Sequence, residues 1–477
     1  HHRTAPSSAA YRTAIAVAGL VVLVGCLERG KAGDTAANAD GTATDGATAE
    51  GAATDGAATD GSATDGVAAD PFGPRYWLRS AGGQWRDQFS HVSVANGGSA
   101  LFVGTTASGG AGDWDAWLVA VDSCGAMVRS VAIGGAGKDE GHASAALSGG
   151  HHLVVGSSES YEHGKEAWVT RVDADLKLIW SRVVGGGGWD TAEAVTATTD
   201  DGAIVLGETY NFGPGAPMTH NALVFRLASD GGLVWEQTIG GGGDGDAGFE
   251  VVRVGLNGDA NAALIAGATE SYGEGRDDIW LVRIAGDGSL LWARSYGDEE
   301  DDEGRAVTVA ADGSFWVTGF TRGFGAQKSD VYVLHTDAGG SALSMWRYGG
   351  SGKERGYGLT PRPGGWNLAG VSDSHDGTDD GFVAALDAAG DVVFMRRVGS
   401  DNVDEVSAVA AIGSQGDVVW AGMTESYGAG GRDAFFGRIR VDGEGGCKVR
   451  PWPAPWKRHA VTPKVGTTLP VVAHGAA

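Results

Sequence analysis

From residue 76 to about 446 the chain alternates apolar and polar positions with a period of two. The runs are five to seven residues long and are broken by Gly, Asp, Asn and Pro. No stretch keeps a helical period, so the pattern predicts strands and turns only. One unit shows the grammar. A strand from Glu193 to Thr198 is turned by Asp200-Asp201-Gly202 and followed by a strand from Ala203 to Thr209. After a Gly/Pro loop comes a third strand, from Asn221 to Leu227, then the turn Ser229 to Gly232. A fourth strand, from Leu233 to Ile239, ends in Gly240-Gly241.

The unit recurs. Each second strand ends in Gly-x-Thr/Ser, at Gly104, Gly156, Gly207, Gly267, Gly319, Gly370 and Gly422, in steps of 51 to 60 residues. Four antiparallel strands per repeat of that length predict an all-β, seven-bladed β-propeller. The fourth strands are marked by Trp77, Arg129, Trp180, Trp235, Trp292, Ser344 and Phe394. The first of these marks precedes any complete blade, and the last blade runs into Pro451, Pro453 and Pro455, a poor strand. The strand from Trp77 to Ala81 is therefore expected to complete the last blade and close the ring, which removes an open sheet edge.

Segments such as Trp292-Ala-Arg-Ser-Tyr-Gly, Asp312-Gly-Ser-Phe-Trp-Val-Thr-Gly-Phe-Thr and Ser271-Tyr-Gly-Glu-Gly-Arg-Asp-Asp-Ile-Trp-Leu-Val-Arg carry a resemblance to a known family. They resemble the bacterial seven-bladed β-propeller repeat proteins, over residues 76 to about 446. The resemblance implies the fold and export, and lends no catalytic residues.

Four regions follow: 1–25 a lipoprotein signal peptide, 26–74 a tether, 75–447 the propeller and 448–477 a Pro-rich tail. Arg3 and Arg12 precede an apolar run from Thr13 to Val24, too short to span a bilayer. Leu23-Val24-Gly25-Cys26 resembles the lipobox of bacterial lipoproteins, which implies a lipid on Cys26 and a place in the cell envelope. Leu27 after it favours the outer membrane or cell surface. The tether carries an acid every fifth residue from Asp40 to Asp70 among Ala, Thr and Gly, and buries too little to fold. Its average span would be about 35–40 Å. A net charge of −25 repels phosphate backbones and excludes nucleic acid as the expected partner. With Cys26 lipidated, Cys124 and Cys447 are left, and both follow a third strand. In an oxidising compartment they are expected to form a disulfide clamping the first blade to the seventh.

Candidate chemistry sits in the loops. An acid stands at Asp87, Asp139, Asp190, Asp246, Asp302, Glu354 and Asp404, after each Gly-rich turn. A second opens the third strand at Asp115, Glu166, Asp278, Asp330, Asp380 and Asp433, with Asn221 in its place once. Both belong to one face of the disc. They are read chiefly as acceptors for loop amides. The competing reading is Ca²⁺, for which Asp298, Asp301, Asp302 and Glu303 are the metal candidates; no other cofactor is called for. His91 and His142 hold comparable positions in adjacent blades. The aromatics Trp117, Trp168, Trp280, Tyr332, Phe382 and Phe435 are expected in the core. No His-Glu-x-x-His or Gly-x-Ser-x-Gly occurs.

The expected function is a monomeric, lipid-anchored binding scaffold that presents its loop face to a protein or glycan. Asn211, Phe212, His220, Asn257 and Asp259 are the loop residues that irregular blades offer to that partner. The alternatives are an extracellular enzyme acting on polysaccharide and a Ca²⁺-dependent adhesion module. An enzyme would gather His, Arg and carboxylates in the central channel. A scaffold would line it with small residues.

Overall fold

Strand-strand pairing organises the whole of the repeat region, and a computed structural model of the chain describes it. The described residues are 77–439 apart from positions 96–97, 162–163, 187, 211–212, 214–218, 242–244, 256–257, 414–415 and 430. Short pieces at 23–24, 457–461, 464–465 and 474–475 are described as well. Cys26, the tether, Asn211, Phe212, Asn257 and Cys447 lie outside the described residues.

The repeat region is all-β, in successive four-stranded antiparallel sheets. The first is Asp87–Val94, Ala100–Thr106, Asp115–Val121 and Met127–Ile133, each strand hydrogen-bonded to the next. The sheets that follow begin with the inner strands Asp139–Ala146, Gly188–Ala197, Asp246–Arg253, Asp302–Val309, Glu354–Arg362 and Asp404–Ile412. The last of them takes its fourth strand from the other end of the region. Trp77–Ala81 pairs antiparallel with Asp433–Ile439, with Trp77 opposite Arg438.

Second and third strands are almost wholly buried, and apolar clusters join each sheet to its neighbour. Inner strands pack side by side in sequence, and Asp404–Ile412 packs against Asp87–Val94. One cluster unites Trp77, Phe89 and Phe102 with Val419 and Phe436, residues more than 300 positions apart. Burying an aromatic of this kind contributes about 2–3 kcal/mol. The six aromatics after the third-strand acids are buried as well, Trp117 being the most exposed at 9%.

The outer-strand marks have a physical role. The indoles of Trp77, Trp180, Trp235 and Trp292 lie against Gly125, Gly231, Gly288 and Gly340, left-handed turn glycines of the next sheet. A Cβ at any of these four would press on the ring, so the flat indole and the bare glycine are one device. In the fifth sheet the mark shifts: Ser344 holds the equivalent register opposite His335, but the indole on Gly390 is that of Trp346.

Candidate functional site

At one end of every second strand the repeating glycine crosses a β-bulge in the inner strand. In the fifth sheet the register slips between Gly304 and Ala306, directly opposite Gly319. A Cβ on Gly319 would collide with the carbonyl oxygen of Glu303, and the other six glycines meet the equivalent carbonyl. The bulge turns the inner-strand acid into the protein. Two residues past the glycine, the hydroxyl reaches that acid. Thr106 donates to Asp87, Ser158 to Asp139, Thr269 to Asp246 and Thr424 to Asp404. A second hydroxyl follows two residues on, Ser108 to Asp87 at 2.6 Å and Ser426 to Asp404 at 2.7 Å. A loop amide completes the set, Gly135 to Asp139 and Ser400 to Asp404, each at 2.7 Å. The Gly-x-Thr/Ser, the Gly-rich turn and the acid are thus one hydrogen-bonded unit.

The third-strand acids come to the same place from the preceding sheet. Gly134 separates Asp115 from Asp139, Gly185 separates Glu166 from Asp190, and Gly297 separates Asp278 from Asp302. Gly82 lies in the same way between Asp433 and Asp87, across the first and last sheets. Cations balance some junctions: Arg347 pairs with Asp330, and Arg397 with Asp380 at 2.6 Å. Burial still raises Asp330 and pushes Asp380 up to about 7; the junction of Asp278 and Asp302 sets two acids together and, among the described residues, pairs neither with an arginine. Burial, and then their mutual repulsion for Asp278, pushes each up to about 7.

The inner strands carry charge into the centre. His142 reaches across to the next inner strand, 3.1 Å from Glu193 and 3.1 Å from the Ala192 carbonyl, with Glu140 at 3.9 Å. Lys165 binds Glu140 at 2.8 Å. Burial opposes the imidazolium, but the two carboxylates outweigh it and raise His142 to about 10. Arg305 lies 3.9 Å over the Phe249 ring, and Arg355 4.7 Å over Phe320. Glu250, without such company, is pushed up to about 7 by burial. His91 does not join His142. It contacts Ser144 of its own neighbouring strand at 3.3 Å, and burial holds it neutral, down at about 4. His, Arg and carboxylates thus do gather on the inner strands, in place of the small residues expected of a scaffold.

The acidic run from Asp298 to Glu303 is not one cluster. Asp298 accepts from the amides of Glu300 at 3.0 Å and Phe324 at 2.7 Å. Asp301 pairs with Arg322, Asp302 accepts from the Asp298 amide, and Glu303 pairs with Arg305. Among the described residues no three His, Cys, Asp or Glu side chains are grouped to hold a metal. Of the partner-loop residues, His220 stands on the loop face, 3.6 Å from Glu208 and tilted against the Tyr210 ring. Asp259 is at the opposite end of its sheet, where it caps the amides of Asn261 and Gly286. The two share no site. Cys124 is exposed, its amide bonded to Asp122.

No family model matches the chain. A regulatory protein, FlaEY, of Caulobacter vibrioides is 27% identical over 199 residues, which is 39% of this chain and 17% of FlaEY; the match spans about a sixth of the relative's length. Among solved structures, puromycin hydrolase is similar at 16% identity and a TM-score of 0.44, covering 71% of this chain and 50% of the hydrolase. A protein of unknown function from Bacteroides caccae is 10% identical with a TM-score of 0.36, over 62% of this chain and 93% of its own. One from Dyadobacter fermentans is 8% identical with a TM-score of 0.39, over 62% and 93%. The β-propeller fold rests on the strand pairings of the chain itself.

Proposed function

We propose that the chain is a seven-bladed β-propeller, closed by Trp77–Ala81, which works as a binding scaffold at the cell envelope, with its loop face turned to a protein or glycan. The pairing of that strand with Asp433–Ile439, the mixed core around Phe89 and Phe436, and the Asp433–Asp87 junction support the closed ring. The lipobox-like Leu23 to Cys26 supports export and a lipid anchor on Cys26, with the 26–74 tether as spacer.

One observation carries the binding reading. Under the loop end, buried acids, hydroxyls and loop amides form a repeated hydrogen-bonded frame, which fixes the loops that carry the surface residues. The convergence of His, Arg and carboxylates on the inner strands keeps the enzymatic reading as the second. Against it, His142 is held protonated between two glutamates and is a poor general base at neutral pH. The Ser144–His91 contact, among the described residues, has no carboxylate to orient the imidazole. The scattered partners of Asp298, Asp301, Asp302 and Glu303 weigh against a Ca²⁺-dependent module. The soluble chain from Asp70 onward, screened on glycan and protein arrays and assayed with polysaccharide substrates, tests this. Specific retention without product release is expected; turnover lost in a His142→Gln or Glu193→Gln variant would replace the scaffold with an enzyme.

A further inference from the structure

Backbone bridges between neighbouring sheets bring two residues together at each junction of the loop face. These are the residue before an inner-strand acid and the residue before a third-strand acid. The Asp87 amide bonds the Arg432 carbonyl at 2.9 Å, and the Asp139 amide bonds that of Trp114 at 2.8 Å. Lys165 pairs with Trp189, and the Asp246 amide bonds the His220 carbonyl at 3.3 Å. On the far side the same bridges involve Asp277, Ser329 and Asp379.

The residues so placed are segregated. From Arg432 round to His220 these bridge positions hold Arg86, Trp114, Lys138, Lys165 and Trp189, and no acid. The remaining positions hold Asp277, Asp301 and Asp379 with Lys353 as their one cation. In a chain of net charge −25, an arc of bridge positions that holds cations and indoles and no acid stands out, with Glu140 and Glu425 beside it pairing two of the cations. Its members touch. The Arg86 guanidinium lies 5.8 Å and the Lys138 ammonium 5.5 Å from the centre of the Trp114 ring. Lys165, already bound to Glu140, lies 5.3 Å over Trp189. Trp189 stacks on Tyr210 at 5.1 Å, and the Tyr210 ring meets His220 at a tilt. Arg432 is held by Glu425, but Arg86 and Lys138 are exposed and make no ion pair among the described residues. Trp85 beside Arg86 is 66% exposed and Trp189 46%, costly for indoles that nothing covers.

We propose that this arc binds an acidic polysaccharide. The assignment rests on the binding-scaffold reading and names its ligand. The apolar faces of sugar rings lie on the exposed indoles, and carboxylates pair with the cations Arg86 and Lys138 at charge-assisted hydrogen-bond distance. Flat apolar faces alternating with single anionic groups are the complement of indoles alternating with single cations. A phosphodiester chain meets the same arc with a denser charge, which the net −25 of the chain opposes. An acidic peptide offers no flat face to the indoles.

The test uses the full chain and four probes in calorimetric titration: polygalacturonate, dextran, poly-glutamate and single-stranded DNA. Polygalacturonate is expected to bind most tightly, and to weaken as salt is raised because paired charges are screened. Arg86→Glu with Lys138→Glu, and separately Trp189→Ala, should each weaken it at least tenfold at unchanged melting temperature. Lys138→Gln gives a milder version should the reversals disturb folding. Asp379→Asn on the opposite arc should leave binding unchanged. Dextran binding as tightly removes the charge recognition, and poly-glutamate or DNA binding as tightly removes the sugar. Polygalacturonate binding indifferent to all arc variants overturns the site but leaves the scaffold reading standing. Absence of any ligand on the arrays described above would end both.

Discussion

Gly319 shows how a single residue sets the local architecture. Its strand crosses the bulge of the inner strand so closely that a Cβ would collide with the Glu303 carbonyl, which is backbone and cannot swing aside. Gly319→Ala is expected to destabilise by about 1–3 kcal/mol, the usual cost of overpacking, read as a lowered midpoint in urea unfolding. The Asp278–Asp302 junction makes a prediction of the opposite sign. Both groups are pushed up to about 7, chiefly by burial, above the ordinary carboxylate value near 4. A raised folded value means that the stabilisation is complete below about 4 and is lost as pH rises through about 7. The protein should melt at higher temperature at pH 5.5 than at pH 8.5. Asp278→Asn keeps an acceptor for the Glu274 amide at 3.0 Å and removes the repulsion; Asn221 already fills this position beside Asp246. The variant should gain stability at pH 8.5 and change little at pH 5.5, and an unaltered pH slope would refute the coupling. Calcium bears on the same residues. An ion held at 100 times its dissociation constant would add about 2.7 kcal/mol, whereas acids that do not group in threes among the described residues predict equal melting curves in Ca²⁺ and in chelator.

Among the strands, the sequence is legible wherever local spacing decides the outcome and silent where neighbouring sheets decide it. The Gly-x-Thr/Ser and the acid about 20 residues before it belong to one sheet, so their repetition announces a common fate. The buried third-strand aromatics were legible for the same reason. His142 was not. It meets Glu193 from the next inner strand, 51 positions on, and only the bulge phase tells which of the two strand faces it takes. The arc of Arg86, Trp114 and Lys138 was hidden too, because its residues are split between the ends of different strands. Ser344 holds the outer-strand register that the repeat assigns it, but the glycine contact there passes to Trp346, two positions on, which the repeat alone does not reveal. The His142 contact makes its own prediction. With its value raised to about 10, its stabilising charge is complete below about 6.5 and lost as pH rises through about 10. An NMR titration should find this imidazole still protonated at pH 8, and a midpoint near 6.5 would dissolve the Glu140–His142–Glu193 lattice.

Across the molecule, the first and last sheets of the repeat region share a contact. Trp77 belongs to the same sheet as Asp433–Ile439, and its indole lies on Gly125 in the turn of the first sheet. Truncating Trp77 to Ala empties that contact and its edge-on packing with Phe102 and Phe436, an expected loss of about 3–5 kcal/mol. The same contact bears on the cysteines. Cys124 is the residue before Gly125, exposed at the turn that Trp77 covers. Arg438 pairs with Trp77, so the strand Asp433–Ile439 finishes at the end of its sheet where Trp77 covers the turn of Cys124 and Gly125. Seven residues separate Ile439 from Cys447, and the eight Cα–Cα steps between them reach about 26 Å when extended. A disulfide between Cys124 and Cys447 would need their Cα atoms roughly 5.5–6 Å apart. A bond there would clamp covalently what Trp77 and Gly125 hold by packing, and closing so long a loop contributes about 3–5 kcal/mol. Peptide mapping of the protein taken from an oxidising compartment, without reductant, is expected to recover Cys124 linked to Cys447. Both thiols free to an alkylating reagent would remove the clamp and leave closure to the Trp77 strand, whose Ala variant would then unfold with the same loss in reductant as without it.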